Sequence, residues 1–204
     1  MNKSQRITIK RVDQRTVAKT AIFAALTVFS LGFFVLGLVN NSNGAVERFE
    51  TLKAVDEAGG DVEAALTDLR DYIYSHMNTE LGGPNGIYPP IQLNGTYNRL
   101  VESEKQRVFN VNEKVRVEAD AVCAQRFGAG QIQARAQCNA DYIEQNGTAE
   151  KPIDDAFYKF NYVAPRWSAD LAGFSLIAAI IFGIITLFYG LHHWYIRRSI
   201  RLGQ

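Results

Sequence analysis

The chain has 204 residues, 47% of them hydrophobic and 21% charged, with a net charge of +1. Nothing in that balance reads as a nucleic-acid surface, and two cysteines make a zinc site only if two further ligands join them. The averages conceal a segregation of charge and apolarity along the chain, which carries most of the information.

Residues 1–19 hold six Lys/Arg (Lys3, Arg6, Lys10, Arg11, Arg15, Lys19) against Asp13 alone. From Thr20 to Val39 the sequence TAIFAALTVFSLGFFVLGLV has no charge. At about 1.5 Å per residue it spans the roughly 30 Å hydrocarbon core of a bilayer. Residues 20–40 therefore read as a first transmembrane helix. A buried core helix would keep a polar stripe that is missing here. A cleaved signal peptide would have a shorter apolar region, and the cleavage match around Ser42 to Ala45 is weak. The expectation is an uncleaved signal anchor.

Val46, Phe49, Leu52 and Val55 continue a helix beyond the span, and AGG (Ala58 to Gly60) ends it. Asp61 is a good N-cap for a second helix whose apolar face is Val62, Leu66, Leu69, Ile73 and Met77. Glycines and prolines from Gly82 to Pro90 stop that helix. Between Leu81 and Leu93 there is no helical periodicity, yet Ile87, Tyr88, Ile91 and Leu93 are apolar and want burial. A loop of this length is usually functional or disordered. This one reads as an ordered cap at the membrane-distal tip, with Pro84, Ile87, Tyr88 and Pro90 as candidate partner-binding residues.

A long third helix is predicted from Asn94–Tyr97 toward Phe127. Its seam of Tyr97, Val101, Glu104, Val108, Val111, Val115, Glu118 and Val122 alternates four and three, as in a coiled coil. Such a helix is about 50 Å long, which suggests an elongated bundle. GAG (Gly128 to Gly130) allows a reversal, and Ile132 to Gln145 returns as a fourth helix. An antiparallel pair would bring Cys123 and Cys138 together, and in an oxidising compartment a disulfide is preferred over free thiols. Five aromatics between Phe157 and Trp167 then lead into a second span and suit a membrane interface. Residues 41–167 thus form one helical domain.

Leu171 to Leu191 is the second uncharged run, within a transmembrane helix assigned to 168–191. Ser175, Ala179 and Gly183 repeat every four residues and form a helix-packing face, as Ala21 and Ala25 do on the first span. The partner is the other span or a neighbouring protomer, and oligomeric state stays open. Residues 192–204 carry Arg197, Arg198 and Arg201 without an acid, behind an aromatic belt of Trp194 and Tyr195. The basic flanks and an acidic middle (13 basic, 20 acidic residues) predict both termini cytoplasmic and 41–167 extracytoplasmic. The expected fold is an all-α membrane protein, two transmembrane helices flanking an elongated extracytoplasmic bundle.

No catalytic constellation assembles. Glu104 and Glu118 lie about 21 Å apart on one helix. Asp56, Glu57, Asp61, Glu63, Asp68 and Asp71 lack calcium-loop spacing and read as a solvated face. Ser75 and His76 point about 100° apart on a helix, so they form no nucleophile–base pair. His76 reads as a hydrogen-bonded helix-end residue, and His192 and His193 as interface anchors. The expectation is no enzyme, no metal and no cofactor.

The segments SHMNTELGGPNGIYPPIQL and DDAFYKFNYVAPRWSADLAGFSL, with the Cys123/Cys138 pair, resemble two-span membrane proteins of candidate-phyla (Saccharibacteria-like) bacteria. The resemblance implies a bacterial envelope, with the sequons NNS and NGT (Asn94, Asn146) accidental, and implies no activity. The span–bundle–span order also resembles the sensing half of bacterial chemoreceptors, although the short flanks leave no room for a signalling domain. The functional expectation is an envelope scaffold or adaptor binding membrane lipid and a protein partner or itself, and no nucleic acid. The alternative is a sensor of a small-molecule ligand acting through a separate cytoplasmic partner.

Overall fold

The computed structural model describes residues 3–82 and 86–202. Among them are five α-helices and one antiparallel pair of two-residue strands. The first helix, α1 (Lys3–Ala58), is continuous for 56 residues. The sequence explains why it stops where it does. Gly59 takes φ +69°, Gly59 N–H donates to the Asp56 carbonyl, and Gly60 N–H donates to the Val55 carbonyl. That paired closure of the last carbonyls is cheap only when glycine occupies the left-handed position.

The chain divides into two units, and α1 contributes to both. The first comprises Met1–Thr51, Glu63–Pro84 and Tyr162–Gln204. Here α2 (Val62–Ser75) runs antiparallel to α1 and buries Leu66, Leu69 and Ile73, the predicted face. Arg48 of α1 meets Asp68 at 3.2 Å, and its guanidinium lies 3.9 Å over the Tyr72 ring. The Tyr72 hydroxyl end occupies the space a Cβ on Gly44 would need.

In the same unit α5 (Leu171–Leu202) also runs antiparallel to α1. Gly37 approaches Ala172 closely, Thr27 faces Gly183, and Phe23 stacks on Tyr189 at 5.9 Å. Among the described residues, two helices are long and apolar enough to cross a membrane, α1 within Gln14–Ala58 and α5 within Leu171–Arg198. Most of their apolar side chains are exposed: Phe29 is 69% exposed and Leu187 67%.

The second unit comprises Leu52–Val62 and Asn85–Asn161. Strand β1 (Ile91–Gln92) pairs with β2 (Lys159–Phe160) in the register Ile91↔Phe160, and Leu93 N–H extends it to the Tyr158 carbonyl. From there α3 (Asn94–Arg126) leads to α4 (Ile132–Asn146), which packs back along it. The buried line on α3 is Val115, Ala119 and Cys123, in steps of four. Glu118, expected in the seam, is exposed. An undistorted helix turns 100° per residue, so a strict four–three alternation drifts off the contact unless both helices supercoil. A fifteen-residue partner imposes no such supercoil, and Ala119 takes the inward place.

Candidate functional site

Three places gather chemistry, and each is set by an identifiable stretch of sequence. The first is the start of α3. Its own N-cap position, Leu93, supplies no side-chain acceptor. Asp56, in the last turn of α1, supplies it instead. Its carboxylate accepts from Gly95 N–H and Thr96 N–H, both at 2.7 Å, from the Thr96 hydroxyl at 2.6 Å and from Arg99 at 2.9 Å. Arg99 also donates to the Asp56 carbonyl at 2.7 Å. Asp56 is 3% exposed, which corrects its reading as part of a solvated acidic face. Burial is tolerated because the charge is fully hydrogen-bonded at a helix N-terminus. A Cβ on Gly95 would collide with the Asp56 carbonyl oxygen, so the close approach needs glycine.

The second lies where α2 ends. Asn41 of α1 is buried and donates to the Met77 carbonyl at 3.1 Å and to Asp170 at 2.6 Å. Met77 N–H donates to Ser168 at 3.0 Å, and Asn78 donates to the Leu38 carbonyl at 3.2 Å. Asp170 in turn accepts from Gly173 N–H at 2.9 Å and caps α5. The chain leaving α2 is therefore tied to α1 at residues 38–41, the end of the uncharged run. The loop expected at a distal tip begins beside that run instead, because α2 folds back along α1.

Next to this tie, Ser75 Oγ and His76 Nδ1 are 2.9 Å apart, which corrects the expectation that their side chains diverge. Helix α2 ends at Ser75, so His76 is free of helical geometry and stacks on Tyr72 at 4.1 Å. His76 Nδ1 also lies 3.0 Å from the Tyr72 carbonyl, and Ser75 Oγ lies 2.8 Å from the Asp71 carbonyl. A carbonyl can only accept, so Nδ1 carries a proton toward it and is not a base for the hydroxyl. Tyr72 is sandwiched between His76 and Arg48. Burial pushes its phenol above the ordinary range, against the opposing pull of Arg48.

The third is the α3–α4 hairpin. Cys123 and Cys138 are joined by a disulfide with Cα atoms 5.9 Å apart. Beside it a groove of about 440 Å3 is lined by Arg126, Phe127, Gln137, Asp141, Tyr142 and Gln145, among others. Farther back along α3, the chain following α4 is held by side chains that imitate a strand partner. Asn112 exchanges hydrogen bonds with Thr148 N–H at 2.8 Å and the Thr148 carbonyl at 3.0 Å. Glu104 accepts from Lys151 N–H at 2.9 Å and from Arg107 at 2.7 Å. Arg107, then the Lys151 amide, hold its carboxyl down to about 2.

Of the candidate partner-binding residues, Pro84 lies outside the described residues. Ile87 and Tyr88 are 74% and 78% exposed, whereas Ile91 and Leu93 are buried. The apolar loop residues thus separate into an anchored pair in and beside β1 and an exposed pair before it. Asn161 donates to the Tyr88 hydroxyl at 2.9 Å, and Pro89 and the half-buried Pro90 follow. On α5, Ala179 is buried, and a Cβ on Gly183 would meet Thr27 Cγ2 of the same chain at 3.9 Å. His192 is exposed. Among the described residues no three His, Cys, Asp or Glu side chains gather as a metal site.

Sequence reasoning missed the Asp56 cap and the Asn41–Asp170 tie. The second had a signal: Asp170 immediately precedes an apolar helix, and Asn41 is a polar residue of α1 directly after the span. Compared with protein-family models, curated proteins and solved structures, the chain matches none.

Proposed function

We propose that this is a two-span membrane protein whose non-catalytic helical domain acts as an envelope scaffold or adaptor for other proteins. In this reading α1 and α5 cross the bilayer, both termini are cytoplasmic, and residues 41–167 lie on the other side. The observation that carries it is the pairing of α1 with α5. They touch along one narrow face and leave Val28, Phe29, Ile184 and Leu187 exposed. Water would penalise so much apolar surface, and a soluble core helix would have buried it. Lipid leaves it without cost. A wholly apolar groove of about 320 Å3 on α1, with Gly32 between Phe29 and Phe33, gives a further helix a place to approach within the bilayer.

Outside the bilayer, the exposed Ile87–Tyr88 pair is the partner contact in this reading. It is held stiffly by the following prolines and by Asn161, so little entropy is lost when a partner covers it. The test is mass determination of the intact protein extracted gently from its membranes. A stoichiometric protein partner that is lost in Ile87→Ser/Tyr88→Ser supports the adaptor. A lone chain with no partner contradicts it. The groove beside the disulfide favours a second reading, ligand sensing, because Arg126, Tyr142 and two glutamines face it. A small molecule retained on the extracted chain would support that reading over the first.

A further inference from the structure

Because α1 and α5 are antiparallel, the two basic flanks of the chain arrive at the same end of the pair. Lys19 Nζ lies 5.3 Å from the Tyr189 ring, which fixes the level of that end. One turn beyond Lys19 on α1 is Arg15. On α5, Arg197 and Arg198 are about 12 Å past Tyr189. All four side chains are exposed. Trp194 and Tyr195 stand exposed among them, with the Arg198 guanidinium 5.2 Å from the Trp194 ring. Asp13 is the only acidic residue in either flank, 1–19 or 192–204.

We infer that this end of the α1–α5 pair is a docking surface for the phosphate headgroups of anionic lipids, which gather there in preference to zwitterionic lipids. The inference rests on the membrane reading above and goes beyond it. A span needs only apolar length, whereas this end brings together cations from both ends of the chain. Guanidinium groups match phosphate in a planar, two-pronged fashion, and several of them held together discriminate by charge. The exposed Trp and Tyr rings set the depth, since their mixed polarity suits the headgroup layer. The other end of α5 lacks this character: Trp167 is flanked by Arg166 and Asp170, of opposite charge.

The two tryptophans make the test local. Single-tryptophan forms of the full chain, Trp167→Phe and Trp194→Phe, are reconstituted in zwitterionic bilayers. Each bilayer contains a minor fraction of lipid brominated near the glycerol end of its acyl chains, either phosphatidylglycerol or phosphatidylcholine. Trp194 is expected to be quenched roughly fivefold more effectively by the anionic lipid than by the zwitterionic one, and Trp167 equally by both. The preference at Trp194 should vanish when Arg15, Lys19, Arg197 and Arg198 are all changed to Gln. Equal quenching of Trp194 by the two lipids, as a patch reserved for an acidic protein or a nucleic acid would give, overturns the proposal while leaving the spans intact. A preference that survives the four substitutions also overturns it. If neither lipid quenches either tryptophan, the membrane reading itself fails.

Discussion

Individual residues decide how the second unit holds together, and Asp56 is the clearest case. It does for α3 what no residue of α3 does, and it is buried while doing so. Asp56→Ala should cost about 2–4 kcal/mol, combining a lost cap with lost charge-assisted hydrogen bonds. Asp56→Asn should cost less, because one amide oxygen still accepts. Gly95→Ala should be similarly damaging by pressing on the Asp56 carbonyl. Thermal unfolding of the full chain in micelles, followed by circular dichroism, reads all three. Glu104 gives a pH signature. Its folded value is depressed to about 2, so the stabilisation it provides is complete above the ordinary glutamate value near 4.3 and is lost as pH falls toward 2. Titration of its side-chain carboxyl by NMR should show that low midpoint, and Arg107→Ala should raise it toward the ordinary value.

The elements differ in how tightly their approach is set. Where α1 meets α5, a Cβ on Gly37 would lie 2.6 Å from the Ala172 backbone nitrogen, whereas a Cβ on Gly183 makes an ordinary contact with Thr27. Gly37→Ala should therefore separate the helices at that end and loosen the Asn41–Asp170 tie, while Gly183→Ala should be nearly silent. Cross-linking yield between the two helices distinguishes them. The disulfide closes a loop of fifteen residues between α3 and α4, so Cys123→Ser/Cys138→Ser should destabilise the hairpin by about 3 kcal/mol.

At this scale most of the helices were legible in the sequence. The apolar runs, the AGG stop, the Leu66–Leu69–Ile73 face and the GAG reversal are all local signals. The seam of α3 was misread at Glu118 because spacing alone does not say whether a partner is long enough to supercoil. The strand pair at Ile91–Gln92 and Lys159–Phe160 escaped notice because two residues carry no periodicity and the pairing joins segments far apart in sequence. The same distance hid Asp56: a cap supplied by another helix leaves no mark near the helix it caps.

For the molecule as a whole, charge and apolarity make one statement. Uncharged helix on α1 pairs with uncharged helix on α5, basic flanks lie at one end of that pair, and the acidic region lies between the two runs in sequence. Under the proposed function, and by the excess of Lys and Arg that marks cytoplasmic flanks, that arrangement is read as 41–167 outside and both flanks inside. The most direct test uses an impermeant maleimide on cells expressing Ala149→Cys, Ser4→Cys or Gln204→Cys, the native cysteines being blocked by their own disulfide. Position 149 should label in intact cells, and positions 4 and 204 only after permeabilisation. Labelling of the flanks in intact cells, or release of the protein from the membrane fraction by alkaline extraction, would contradict the two-span arrangement.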